Sequence, residues 1–189
     1  MPKEAGVRIV AGQWRGLRVQ TRAGADVRPT ADRVKEALFS ILEPRLGDAT
    51  VVDCFAGTGS LGIEALSRGA ARAVFVENDR RTLVVLQENL RRLTEATTHA
   101  VLAVDAFDPM RWGAGVLPAD VILADPPYRR GFGEMFLAAL AEVRALRPGG
   151  VLVLEHETGI ESAHPAWDTV DRRRYGNTTL SFFAREGEP

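Results

Sequence analysis

Asp125-Pro126-Pro127-Tyr128 is the stretch whose residue types bear on chemistry most directly. Two consecutive prolines have fixed φ and no N–H, so the loop is stiff and its carbonyls point in set directions. Asp125 adds an acceptor and Tyr128 a flat face. An aromatic exocyclic amine is a poor nucleophile, because its lone pair is delocalised into the ring. The Asp125 carboxylate and the Pro126 carbonyl suit its two hydrogens, and the rehybridised nitrogen can then attack. Tyr128 would stack on the base and fix its plane. With a methyl already activated on a sulfonium, positioning supplies much of the catalysis, and neither a metal nor a covalent enzyme intermediate is required. The base must leave its stack or already lie in a loop. Arg129 and Arg130 follow at once and are candidates to hold the adjoining phosphates. Arg172-Arg173-Arg174 is a weaker candidate, exposed strand charges being the plainer reading. The plainer reading of the loop itself is a strand stopped by prolines.

A second set of residues reads as a nucleotide-cofactor site. Asp53-Cys54-Phe55-Ala56-Gly57-Thr58-Gly59 ends one apolar run and leads into a helical pattern. Glycines there let backbone approach a ligand, and the helix start presents free N–H groups. Glu77, followed by Asn78, lies the right distance on to accept from ribose hydroxyls, whereas Asp79 reads better as a helix cap. Asp105 and Ala106 end the next apolar run, where an acid and a backbone group can meet an adenine. Gly57-x-Gly59-x-x-Gly62 also keeps a nicotinamide enzyme open. Cys54 beside this turn reads as packing rather than as a nucleophile, since no histidine is placed near it.

The elements that must position these residues alternate. Strands are expected at Thr50–Phe55, Ala73–Val76, Ala100–Val104, Val121–Ala124 and Val151–Leu154. Helices are expected at residues 60–68, 80–93 and 132–145, with Pro148-Gly149-Gly150 turning into the fifth strand. Short continuous apolar runs alternating with helices indicate an α/β parallel sheet covered on both faces. Thr169–Tyr175 and Thr179–Ala184 flank Gly176-Asn177 and predict a closing antiparallel hairpin. At the start, Val7–Val10 and Leu17–Val19 flank Gly12-Gln13-Trp14-Arg15-Gly16 and predict a small β-hairpin. A helix follows from Pro29-Thr30, with Thr30 as a candidate cap and Val34, Leu38, Ile41 and Leu42 on one face. Residues 108–119 read as a loop.

Composition bounds the class. One cysteine excludes an internal disulfide and a multi-cysteine zinc site, and the three histidines have no metal spacing, so no metal is expected. No apolar run approaches the ~20 residues of a membrane span. Met1-Pro2-Lys3-Glu4 has no apolar stretch like a signal peptide, so a cytoplasmic protein is expected. The net charge of −1 is uneven: residues 1–35 hold eight cations against three acids, a net of +5 on an otherwise acidic chain. Arg8, Arg15, Arg18 and Arg28 of this arm are candidates for a polyanion contact, a solvated basic segment being the alternative.

At this point the chain resembles a known family. The glycine turn plus Asp125-Pro126-Pro127-Tyr128 looks like the motif pair of amino-methyltransferases. Arg8-Ile9-Val10-Ala11-Gly12 with Arg15-Gly16, the segment from Arg28-Pro29-Thr30 to Leu38-Phe39, and the segment from Asp53 to Ala70 make the chain similar to the bacterial 16S ribosomal RNA guanine-N2 methyltransferases of the RsmD type. The resemblance implies a Rossmann-like, seven-strand class I methyltransferase fold, S-adenosylmethionine as cofactor and a monomer. It implies a guanine in small-subunit ribosomal RNA as substrate, including in the assembled particle. It divides the chain into residues 1–28, an RNA-contacting extension, and residues 29–189, the methyltransferase domain. It places Thr30 and Arg33 near the cofactor's methionine end. The family often has phenylalanine where this chain has Tyr128, a residue typical of adenine-N6 enzymes. Adenine-N6 methylation of RNA or DNA is therefore the alternative, with methylation of a protein glutamine amide behind it.

Overall fold

The computed structural model describes residues 6–22, 29–127 and 131–185, with residues 29–31 described by backbone alone. Its centre is β3 (Thr50–Cys54), a run with no polar alternation except Asp53. Such a strand must be covered on both faces. β4 (Arg72–Val76) pairs with it in parallel on one side and β6 (Ala119–Ala124) on the other. β5 (His99–Leu102) lies outside β4. β7 (Leu146–Glu157) follows β6 in parallel. β9 (Thr178–Arg185) then runs antiparallel between β7 and β8 (Trp167–Tyr175). The order is β5-β4-β3-β6-β7-β9-β8, a seven-strand, mostly parallel sheet with a closing antiparallel hairpin, as the resemblance implies.

Side-chain alternation sorts the core into two layers. Val51, Phe75, Val121, Leu123 and Val153 face α1 (Pro29–Leu42), α2 (Ser60–Ser67) and α3 (Arg80–Leu93). Val52, Val74, Ile122 and Leu152 face α4 (Phe132–Ala141) and the buried Trp112 and Trp167. The stripe of α3 is Leu83, Leu86, Leu90 and Leu93, and truncating one such buried leucine to alanine costs about 2–5 kcal/mol. The N-terminal hairpin, β1 (Gly6–Arg8) and β2 (Arg18–Gln20), has no core of its own. Its Ile9 and Val19 are buried in the α1–α3 layer. Among the described residues no helix is long and apolar enough to cross a membrane.

Several local expectations are corrected. Helix α1 starts at Pro29, so Thr30 lies inside the first turn rather than capping it; proline suits that first position, where its missing N–H is not needed. Phe55 is not strand: its φ of 58° starts the turn. Helix α4 stops at Ala141 rather than Ala145, because Ala145 already accepts the Ala119 N–H across the sheet at 2.9 Å. Pro148-Gly149-Gly150 does not precede the fifth strand but sits within it: Leu146 pairs with Ala119, and the register shifts before Val151 meets Val121.

Candidate active site

Parallel strands all end on one edge, and the chemistry-bearing residues gather there. β3 leads into the turn Phe55–Gly59, closed by Gly59 N–H donating to the Ala56 carbonyl at 2.8 Å and anchored by Ala56 N–H donating to Val76 at 3.0 Å. Gly59 has φ 90°, and a Cβ there would stand 2.6 Å from Leu86 of α3. Gly62, the third glycine of the spacing, packs its helix onto β4: a Cβ would meet the Phe75 ring at 2.3 Å. Asp53 is buried beneath the turn, where its carboxylate accepts the Gly62 N–H at 2.8 Å. Burial pushes its carboxyl up to about 8, with the Gly62 N–H opposing and the Glu77 charge adding.

Glu77, just past β4, holds the other side of the turn. One carboxylate oxygen accepts from Gly57 N–H at 2.9 Å; the other accepts from Asn78 at 2.9 Å and Asp79 at 2.8 Å. Asp79 caps α3 by accepting from Thr82 N–H at 2.7 Å, the role its position suggested. Past β5, Asp105 accepts from the Phe107 N–H at 3.0 Å, which fixes the buried Ala106 between them. Glu77, Asn78 and Ala106 line one cleft of about 500 Å³ together with Phe55 and Asp125-Pro126-Pro127. Asp53 lies beneath the turn, and Ala56, Gly57, Thr58 and Gly59 form the turn itself without being among the residues that line the cleft; Asp105 is exposed beside Ala106.

Asp125 follows directly on β6, with its side chain open to the cleft and Pro126 buried behind it. Its carboxyl is raised well above the ordinary carboxylate range, first by desolvation in the crowded strand end, then by the charges of Glu155 and Asp53. Solvent in the cleft tempers that push. Tyr128, Arg129 and Arg130 lie outside the described residues, as does Arg28. Cys54 is fully buried and its thiol is pushed up by burial, which suits packing and not nucleophilic attack. His156 is likewise a satisfied core residue, with Nε2 2.8 Å from the Ser181 hydroxyl.

The basic arm is docked on α2. Glu64, fully buried, accepts from Val10 N–H at 2.9 Å, Ala11 N–H at 3.0 Å and Arg68 Nε at 2.9 Å. Lys35 of α1 approaches the same carboxylate at 3.3 Å and donates to the Arg8 carbonyl at 2.6 Å. The hairpin tip lies on the end of α2: Gln13 N–H donates to the Ser67 carbonyl at 2.8 Å. Gly12, with φ 81°, has no room for a side chain there, since a Cβ would stand 1.8 Å from that carbonyl oxygen. Arg8, Arg15 and Arg18 are exposed, and Arg18 also donates to the Gly6 carbonyl at 2.8 Å. Arg33 is exposed on α1 and does not line the cleft.

Other contributions were not read from the sequence. Val76 and Asp79 also line the cleft. Phe107 packs edge-on against Phe55 and Phe132 at 5.2 and 5.3 Å, and Phe136 stands 5.4 Å from Phe55, so an aromatic layer underlies the loop. Its signal was an aromatic two residues after the Asp105 strand end. Glu64 and Asn89 are polar residues in apolar helical stripes, which is the signal that such a residue has specific partners.

Residues 7–184 match the family described as Conserved hypothetical protein 95. Ribosomal RNA small subunit methyltransferase D of Escherichia coli is 34% identical over 184 residues, covering 96% of this chain and 91% of that protein. The protein of the same name from Haemophilus influenzae is 37% identical, covering 80% of this chain and 79% of its own length. The solved structure of Escherichia coli yhhF has a TM-score of 0.83 at 35% identity, covering 96% of this chain and 99% of that one. The rRNA methyltransferase aviRa of Streptomyces viridochromogenes shares the fold, with a TM-score of 0.70 at 19% identity, 87% of this chain and 88% of that one being covered.

Proposed function

The chain belongs to the Conserved hypothetical protein 95 family, and on that premise we propose that it transfers the methyl group of S-adenosylmethionine to the exocyclic N2 amine of a guanine in 16S ribosomal RNA of the small subunit. It is an rRNA methyltransferase of the kind its relatives are named for. The observation that carries the finer reading is that Glu77 and Asp125-Pro126-Pro127 line the same cleft, the acid on one side and the stiff acceptor loop on the other.

The cleft suits the cofactor. Glu77 presents a carboxylate held in place by three backbone N–H groups, the glycine turn it anchors stands beside the cleft, and Phe55 and Ala106 give apolar surface for a purine. Glu77 and Asn78 would hold the ribose and Asp105 and Ala106 the adenine, and the turn from Asp53 to Gly59 would pass close to the cofactor, with Thr30 at the methionine end. S-adenosylmethionine supplies an activated methyl group when bound. The protein's own part is to orient the acceptor amine. Asp125 and the Pro126 carbonyl each accept a hydrogen bond from one amine N–H, so the nitrogen lone pair is freed from the ring. Asp125 is placed to take the one proton released once the nitrogen is methylated, and Tyr128 stacks on the base. The double proline keeps both acceptors in place without reorganisation.

Residues 1–28 form the RNA-contacting extension in this reading, residues 29–189 the methyltransferase domain. Arg8, Arg15, Arg18 and Arg28 of the extension would meet phosphates, with Arg129 and Arg130 beside the base. Arg15 is at the far end of α2 from the glycine turn, and eight helical residues span about 12 Å, so bound RNA would cross the α2 surface. The test is transfer of labelled methyl from S-adenosylmethionine to small subunits lacking native methylation, with nucleosides identified by mass spectrometry. N2-methylguanosine supports the whole reading; N6-methyladenosine keeps the chemistry and replaces the base.

A further inference from the structure

Asn89 lies in the middle of α3, fully buried, within the stripe of Leu83, Leu86, Leu90 and Leu93. A carboxamide there is costly unless its polar atoms are satisfied. They are, and by two different pieces of the molecule. Oδ1 accepts from Gln20 N–H at 2.9 Å, and Nδ2 donates to the Gln20 carbonyl at 2.9 Å and to the Thr58 carbonyl at 2.9 Å. Gln20 ends β2 of the basic hairpin. Thr58 is inside the glycine turn, whose Gly59 packs on Leu86 one helical turn earlier on the same α3 face. One side chain therefore bridges the hairpin strand to the cofactor turn. Both donors and one acceptor site are engaged, so neither partner can shift without breaking a buried bond.

The hairpin is also held independently. Val10 and Ala11, just past β1, donate to Glu64, and the Arg8 carbonyl at the end of β1 receives Lys35. Losing Asn89 therefore leaves the hairpin docked while cutting its direct link to the turn.

We propose that Asn89 is a positioning residue that couples the hairpin to the glycine turn, so that RNA on the hairpin tightens cofactor binding, and the cofactor tightens RNA binding by the same factor. The coupling rests on the reading above, with RNA on the hairpin and S-adenosylmethionine at the turn. Linkage makes the two effects equal, and couplings of this kind are roughly fivefold or more.

The experiment measures the Kd of S-adenosylhomocysteine for the wild-type protein and for Asn89→Ala, each with and without saturating 16S ribosomal RNA transcript. The expected result is at least about fivefold tightening by RNA in wild type, falling to near unity in the variant, while each ligand still binds alone. A merely structural asparagine would weaken both ligands and leave the factor intact. No tightening in wild type, or full tightening in Asn89→Ala, overturns the coupling. Should Asn89→Ala fail to fold, hydrogen exchange on the wild-type protein decides: S-adenosylhomocysteine is expected to slow exchange of the Gln20 amide, and an unchanged rate overturns the proposal. A wild-type protein that binds no S-adenosylhomocysteine at all overturns the proposed function itself, and the coupling with it.

Discussion

Asp53 and Asp125 are both strand-end carboxylates, yet the cleft treats them differently. Asp53 has no solvent and one N–H; Asp125 has solvent on one side and acids behind it. For Asp53, with its carboxyl at about 8, the native state keeps a proton that the unfolded chain gives up near its ordinary value of 3.8. The contribution to stability is complete below that unfolded value and is lost as pH rises toward 8. Asp53→Asn keeps an acceptor for Gly62 without an ionisable group, so its stability relative to wild type is expected to climb across this window, by at most about 1.4 kcal/mol per pH unit. Urea unfolding at several pH values checks this; a constant difference would remove the assignment. For Asp125 the acceptor role requires the ionised form. The raised carboxyl therefore predicts that kcat still climbs with pH above the ordinary carboxylate range. Asp125→Ala is expected to lower kcat by on the order of 10²–10³ while S-adenosylhomocysteine binding survives. Retained turnover would exclude the loop as the amine-holding group. Asp125-Pro126-Pro127 was legible in the sequence because its stiffness and acceptors are properties of the residue types themselves. Phe107 and Asn89 were not, because their parts depend on neighbours such as Phe132 and Gln20, far from them in the chain.

Between elements, a buried polar joint fastens the hairpin and α1 to α2. Glu64 brings two backbone N–H groups, Arg68 and Lys35 onto one buried carboxylate. Glu64→Ala strands all of them, and about 3 kcal/mol or more of stability is expected to go, measured as a shift in urea midpoint at constant slope. Lys35→Met is expected to cost less, since Glu64 keeps Arg68 and both N–H groups. The reverse ranking would contradict the hub. At this scale the sequence showed the parallel alternation and both hairpins, since apolar runs and turn residues are local signals. It missed where elements stop when a neighbour decides. β5 ends at Leu102 opposite Val76, the last residue of β4, so an apolar run that continues to Val104 has nothing left to pair with. The prolyl-diglycine reads as a turn by itself, yet Leu146 pairs with β6 ahead of it.

Over the whole molecule, charge and topology each set a consequence. The +5 of residues 1–35 on an otherwise acidic chain predicts salt-sensitive RNA binding. Arg15→Ala is expected to lower the slope of log K against log salt by about 0.7–0.9 while weakening all RNA sequences alike. An unchanged slope would make that arginine a solvated surface charge. Topology acts on synthesis. The first strands of the large sheet to leave the ribosome, β3 to β7, form a sheet whose rim at β7 stays open, because its neighbour is not the next strand made. β8 emerges with no sheet partner until Thr178–Arg185 arrives and slots between the two. Chains grow from the N-terminus and fold as units, so the apolar seats of Phe182 and Phe183 stand empty until translation of this domain is nearly over. The nascent chain must therefore be shielded longest along one edge, and a ribosome that stalls before residue 178 releases an unfinished sheet with a sticky rim rather than a smaller working enzyme.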